Sequence, residues 1–514
     1  MISLSIASDK AVKAFNAVPW VSILKWSTLI FFCLVLSFLI ATGSYIVAAV
    51  LMAIIVLPIF TKLAISMLGA KHDVIFWLLF ATIMFSSLGA AITRSSLSFV
   101  ATGILLAASP IIILSVYQES KLFGRIKLPL FLILSFYVVG IISSFTGRSA
   151  FFPAMYSLVM SLKPILLLAI GACFLWTERT QRNFSLVLKW SWVPLLFVGL
   201  IQWFSPRIFL LLIPDADLSP DPNPFFPGFS RASSLFAQSS VLAAYASIVA
   251  LILVAEAIIK GKKYAFLNSS FYFLLLLMSG QRQELLAFMV CIPFIFIMYR
   301  FGPSLFSLSF FAILGLGTAL SAIFFLAPEM FRSELSNWDF SGATGLNLSA
   351  RAALYSDAIN LAGRYWPWGT GFGTFASVGA VKFDQSLYVD LGYRAFWWYI
   401  QQKSWLMDAY WAKYIAETGW IGFIFTLLFY VTILNKIVSW IRDPLVRKDN
   451  DVLYFCVLAF IGLFYVLATS PTAFNLAEPH GGLLPLMFIG IAWQRVNKIR
   501  AASEELQKSQ IKYK

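Results

Sequence analysis

Charge is what this chain has least of: Asp, Glu, Lys and Arg make up 12% of its 514 residues, while apolar residues make up 60%. At a mean hydropathy of +0.84, a water-soluble fold has too few polar side chains to cover its surface, so the bilayer has to be the solvent. Histidine is almost missing, at two copies, and cysteine is rare, at four. His72 and His480 fall on opposite faces in the topology derived below. Cys33, Cys173, Cys291 and Cys456 all stand inside apolar runs, far apart in the chain, where a thiol behaves as a small hydrophobe. No disulfide, metal site or cofactor is therefore expected. A small-residue cleavage site is lacking as well: the first apolar run follows a basic stretch and leads straight into a second, so it is expected to stay as an anchor. Neither an internal repeat nor a low-complexity tract is present.

What is there is a succession of apolar runs, each near the roughly 20 residues that a helix needs to cross about 30 Å of hydrocarbon. About fourteen are expected, near 25–41, 44–60, 74–92, 96–117, 128–146, 152–176, 184–205, 233–257, 265–280, 283–299, 303–326, 408–435, 451–470 and 481–497. The expected fold is all-α, a polytopic membrane helix bundle of about 12–14 spans with one large extracytoplasmic loop. It divides into an amino-terminal bundle (1–205), a central segment (206–326), the large loop (327–407), carboxy-terminal helices (408–497) and a charged tail (498–514). With the amino end inside, the short inner connections collect most lysines and arginines, among them Lys62, Lys71, Lys121, Arg125, Lys260, Lys262, Lys263, Arg300, Arg442 and Arg447. Both termini are then cytoplasmic. The net charge of +15 flanks spans and meets anionic headgroups, which argues against a nucleic-acid partner.

Orientation leaves one group of arginines unexplained, because Arg231, Arg282, Arg332, Arg351, Arg364 and Arg394 all fall on the outer side. A guanidinium is always charged and presents a planar fork that matches phosphate oxygens, so arginines gathered at the outer mouth of a bundle suit a pyrophosphate headgroup. The alternative is pairing with nearby acids such as Glu329, Glu334, Asp339 and Asp357.

Three stretches carry a resemblance. They are GFSRASSLFAQSSVLAAY at 228–245, SGQRQELLAF at 279–288, and a run from Arg351 through RYWPWGTGFGTF (364–375) to DAYWAKYIAETGWIGF (408–423). In this order, with a long outer loop between them, they resemble the O-antigen ligase and polymerase family of integral-membrane enzymes, over about 228–423. The resemblance implies metal-independent glycosyl transfer from an undecaprenyl-pyrophosphate-linked oligosaccharide on the outer face of the inner membrane. It further implies a leaving-group clamp of Arg231, Arg282 and Arg351. Substrate contacts are implied for Arg364, for Gly369, Gly371 and Gly373, and for Tyr410. An ordinary loop turn accounts for the three glycines equally well.

The chain departs from the ligase pattern at Asp408, which stands where ligases carry a histidine before the Glu of the E-T-G segment, here Glu417. Asp408 has two possible roles, the base that takes the acceptor hydroxyl's proton and a helix N-cap. The missing histidine favours polymerase over ligase. His480, in the EPHGG turn, is a second candidate base or an ordinary loop histidine. Lys163, beside Pro164 near the middle of its span, costs roughly 2.5–3.5 kcal/mol at the membrane centre unless it faces a cavity or partner. It is a candidate for the lipid phosphate or a side chain that snorkels. Asp215 and Asp217 read as loop acids, and Trp366, Trp368, Trp397, Trp398, Trp405 and Trp411 as an interfacial belt or sugar-stacking faces. The function expected is a polysaccharide polymerase, with ligase as the alternative and a lipid-linked sugar flippase less favoured because no paired halves are visible. Its expected partners are the lipid-linked donor and acceptor, membrane lipids, a chain-length regulator and a flippase.

Overall fold

The computed structural model describes residues 127–173, 177–212, 222–236, 238–302, 349–401, 403–407, 409–471 and 479–512, together with Trp77 and Phe80. The spans expected before 127 and over 303–326, the first part of the large loop, Asp215, Asp217, Arg332 and Asp408 lie outside the described residues. Among the described residues no strand occurs, and the chain is almost entirely helical. The elements that matter are α1 (Lys127–Thr146), α2 (Phe151–Cys173), α3 (Glu178–Trp190), α4 (Trp192–Phe204), α5 (Pro206–Leu212), α6 (Ser239–Lys260), α7 (Lys263–Ser279) and α8 (Arg282–Arg300). After them come α9 (Ala350–Arg364), α10 (Val378–Phe383), α11 (Ser386–Asp390), α12 (Trp397–Gln401), α13 (Tyr410–Arg442), α14 (Pro444–Lys448), α15 (Asn450–Thr469) and α16 (Pro479–Lys512).

Seven helices among the described residues are long and apolar enough to cross a membrane, α3 and α4 counting together as Arg179–Phe204, so the chain is a multi-pass membrane protein. α7, expected as a span over 265–280, is a helix of 17 residues that Gly280 ends in the left-handed conformation. α16 covers the residues of the expected last span and continues through the charged tail as one helix, but it is not one of the seven.

Two of the helices pack closely where side chains are small. α2 and α16 cross at Gly171 and Gly490: a β-carbon on Gly171 would stand 2.1 Å from the Met487 carbonyl oxygen, and one on Gly490 would stand 2.2 Å from the Ala172 nitrogen. Small residues at such a crossing let two backbones gain dispersion contact that lipid cannot match. Gly490→Val is therefore expected to cost about 3 kcal/mol, read as a lower midpoint for thermal loss of the monodisperse protein in detergent. A midpoint equal to the parent's would show that the crossing has slack.

The crossing expected over 408–435 has a different shape. In a straight helix, residues 410 and 430 would be about 30 Å apart at 1.5 Å per residue, yet the phenol oxygens of Tyr410 and Tyr430 are 3.5 Å apart. Trp411 also stacks edge-on against Phe423. α13 therefore reverses at Gly419, whose φ of 62° and ψ of −174° belong to glycine alone. A short helix, 410–418, folds back on a long one, 420–442, and only the second is long enough to span.

Candidate functional site

Cations stand at both ends of the bundle. At one end Lys260 pairs with Asp451 at 2.6 Å, Lys262 with Glu256 at 2.7 Å and Arg500 with Asp443 at 2.7 Å. There too Arg447 donates to the Met298 and Tyr299 carbonyls, closing the end of α8. Arg231, Arg282 and Arg351 lie at the other end.

Arg231 belongs to a strap, 222–236, tied to the carboxyl end of α7. Asn223 Nδ2 donates to the Leu277 and Met278 carbonyls at 3.1 and 2.7 Å, and the Ala232 amide donates to Met278 at 2.9 Å. From α4, Gln202 Oε1 accepts the Ser233 and Ser234 amides at 2.8 and 3.0 Å. The strap lays the Arg231 stem on Gly280, where a β-carbon would meet its Cγ at 2.9 Å. Arg282 opens α8 two residues later, and Gln281 Nε2 donates to Ser239 Oγ at 2.9 Å, which brings the start of α6 to the same place. Arg351 comes from a third direction. Ser349 caps α9 by accepting the Ala352 amide at 3.3 Å, so Arg351 lies in the first turn. One turn on, Tyr355 donates to the Pro471 carbonyl at 2.9 Å, which seats α9 over the end of α15, and Trp411 Nε1 of α13 donates to Ser470 Oγ beside it at 2.7 Å. α8 and α15 run antiparallel, since Arg447, just before α15, binds the end of α8. The start of α8, with Arg282, therefore faces the end of α15. All three arginines are half-buried, and the Nε of each is shut off from solvent.

Arg364, the last residue of α9, and Arg394, on the segment that follows it, lie elsewhere and are exposed. Arg364 acts on Asp357, whose carboxyl burial pushes above the ordinary carboxylate range against the opposing effects of the Tyr393 hydroxyl and of Arg364. A carboxyl held more tightly protonated when folded loses stability as pH rises from 3.8 through its raised value. Asp357→Asn is expected to flatten that fall and to raise the melting midpoint at pH 7 relative to pH 4. Equal pH slopes in parent and variant would show that the burial is relieved.

The three loop glycines face protein. Gly369 at φ 89° packs on the Gly419 nitrogen, Gly371 on α1 beside Ser144, and Gly373 on the Pro153 carbonyl of α2. The loop thereby completes the broken helix: Thr370 and Gly371 amides donate to the Ala416 and Glu417 carbonyls at 2.8 and 2.9 Å. Ser143 Oγ from α1 donates to the Glu417 carbonyl as well, at 2.6 Å. These carbonyls have no helical partner beyond the reversal, and lipid supplies none.

Beside this joint lies a buried polar cluster. Glu417 is fully buried, Lys413 is 3% exposed and Lys163 of α2 is 7% exposed. Glu417 Oε1 accepts the Phe375 amide at 3.2 Å, and its Oε2 is buried with no hydrogen-bond partner among the described residues. Lys413 reaches Ser161 Oγ of α2 at 3.4 Å and interacts electrostatically with both Glu417 and Lys163. Tyr410, expected among the substrate contacts, is buried in a phenol chain with Tyr414 at 2.9 Å and Tyr430. His480 is the second residue of α16, and its side chain lies outside what the structure describes. Lys413 escaped the sequence reading, and Glu417 entered it only as the Glu of the E-T-G segment. The signal for them was two ionisable residues one helical turn apart in an apolar run.

Comparison with models of known protein families finds no match for this chain. Comparison with curated proteins finds no match either.

Proposed function

We propose that the protein is a membrane glycosyltransferase that polymerises lipid-linked oligosaccharide repeat units, with the arginine-bearing end of the bundle on the outer face of a bacterial inner membrane. The observation that carries this reading is that Arg231, Arg282 and Arg351, on three separate elements, all lie at the end of the bundle opposite Lys260 and Lys262. Positive charge inside the cell is spent on orientation, and outward arginines need an anionic ligand or an acid. The resemblance to O-antigen ligases and polymerases names a pyrophosphate.

In the transfer, the bond between the donor's anomeric carbon and the pyrophosphate oxygen breaks as the acceptor hydroxyl oxygen bonds to that carbon. The hydroxyl proton goes to a base, for which Asp408 is the sequence candidate, and the undecaprenyl pyrophosphate leaves with its charge. Fixed guanidinium donors hold that developing charge without a metal ion. The growing glycan is the donor and the incoming repeat unit the acceptor.

Surface glycan from a strain lacking the protein, run on a gel beside the complemented strain, tests the reading. Loss of the ladder with single repeat units still on their final carrier supports polymerisation. Long glycan held on undecaprenyl pyrophosphate makes the protein a ligase, and an unchanged ladder with normal carrier removes both roles.

A further inference from the structure

One cation stands where the orientation rule does not put it. Lys189 falls inside the apolar run 184–205, not in an inner connection, and a lysine so placed needs a partner. Among the described residues no carboxylate pairs with it. Glu256, on the neighbouring helix α6, is taken by Lys262 at 2.7 Å and by the Ser185 hydroxyl at 3.3 Å. The end of α3 does not use Lys189 either, since two of its last carbonyls are already bound: Val187 accepts the Ser191 amide at 2.8 Å and Leu188 the Tyr272 hydroxyl at 2.6 Å. What surrounds the ammonium is aromatic. Lys189 Nζ stands 5.4 Å from the centre of the Trp190 ring and 5.3 Å from that of Tyr264, within cation–π reach of both.

The corner is held in shape by ties from the joint of α3 and α4 to α7. Trp192 stacks on Phe271 with ring centres 3.9 Å apart, its Nε1 donates to Asn268 Oδ1 at 3.2 Å, and Asn268 Nδ2 donates to the Tyr264 carbonyl at 2.9 Å. Lys189 is thereby fixed beside the first turn of α7, where Lys263 is exposed and has no acid partner among the described residues. Trp190 is 55% exposed and Tyr264 41%, and further along α7 Phe266 and Leu267 are exposed as well. The surface is therefore cationic and aromatic at the end of the bundle and apolar next to it. That order matches a phospholipid, with its phosphate at the membrane boundary and its acyl chains beneath. We propose that Lys189 and Lys263, with Trp190 and Tyr264, form a binding site for the headgroup of an anionic phospholipid in the leaflet at the Lys260 end of the bundle. Its phosphate accepts from the two ammonium groups, the two rings lie at headgroup level, and an acyl chain runs along Phe266 and Leu267. A zwitterionic lipid brings its own cation to the same place, so the site discriminates by net charge. It stands apart from the glycosyl transfer, at the end opposite Arg351.

Native mass spectrometry of the full chain in detergent, titrated with phosphatidylglycerol or with phosphatidylcholine of the same acyl chains, tests the site. The parent is expected to hold one phosphatidylglycerol at least about tenfold more tightly than phosphatidylcholine, the effect of one charge-assisted contact. Lys189→Met should abolish that preference and Lys189→Arg, which keeps the charge, should retain it. Lys436→Met, which removes an exposed lysine at the same end of the bundle, should leave it unchanged. Lys263→Met alters only an exposed side chain and should weaken the preference by about threefold, so the site is tested even where Lys189→Met yields no folded protein. Glycerol phosphate at the concentration of the lipid should not displace it, because the acyl chain supplies part of the contact. Equal binding of the two lipids by the parent overturns the proposal, as does a preference that survives Lys189→Met or is untouched by Lys263→Met. Displacement by glycerol phosphate overturns it too, and makes the corner a site for a soluble phosphate ester.

Discussion

Gly369→Ala is expected to cost more than about 3 kcal/mol and to detach the glycine loop from α13. Two separate penalties combine there. The residue adopts a φ of 89°, which an L side chain populates at a cost of about 1–3 kcal/mol. A β-carbon would also stand 2.4 Å from the Gly419 nitrogen, 2.6 Å from the Ala416 oxygen and 2.8 Å from the Glu417 carbonyl carbon. All three are backbone atoms, so no side chain can swing aside, and overpacking adds roughly 1–3 kcal/mol more. Movement of the loop would then withdraw the Thr370 and Gly371 amides from the Ala416 and Glu417 carbonyls, leaving the latter only the Ser143 hydroxyl. Gly363 is the control, since a β-carbon there meets nothing within 4 Å and it stands in a helix, where alanine is favoured by up to about 1 kcal/mol. Thermal unfolding in detergent should give a much lower midpoint for Gly369→Ala and an equal or higher one for Gly363→Ala. Equal midpoints for the two variants would mean that the loop is not held by this contact.

The second large effect concerns Arg351. If its guanidinium binds the departing pyrophosphate, Arg351→Ala should lower the rate of glycan extension by about 100-fold to 1000-fold, the usual loss when one fixed donor to developing charge is removed. Arg351→Lys should recover little of it, because an ammonium carries the charge without the planar fork. Both variants should fold as well as the parent, since Arg351 is only half-buried and α9 keeps its Ser349 cap and its Tyr355 tie to Pro471. The measurement is extension rate in proteoliposomes at saturating donor, normalised to monodisperse protein. A full rate for Arg351→Lys would assign the site a point charge in place of a bidentate contact, and a full rate for Arg351→Ala would remove Arg351 from the clamp.

Much of the architecture was legible because hydropathy is a local quantity. The apolar runs at 128–146, 283–299 and 451–470 fall on α1, α8 and α15, and no tertiary contact was needed to find them. The end of α7 was legible at Gly280 for a similar reason, since an αL cap is a property of one residue. The orientation rule put Arg231, Arg282 and Arg351 on one side together with Arg332, Arg364 and Arg394, without saying how near they lie, and it was the resemblance that singled out the three.

By itself, then, the sequence determined the solvent, the helical class and the end of the bundle to which the unexplained arginines belong, because each follows from side-chain transfer energies along a single run. Tertiary structure alone decided that α13 folds back at Gly419, that the glycine loop closes the break, and that Lys163, Lys413 and Glu417 share one buried space. A glycine in an apolar run is common in membrane helices and carries no mark of reversal. The φ of 62° becomes affordable only when a loop some 50 residues earlier supplies hydrogen bonds to the orphaned carbonyls. The same holds for the charged cluster: a lysine and a glutamate one turn apart look like an exposed pair until packing against α2 removes water from both.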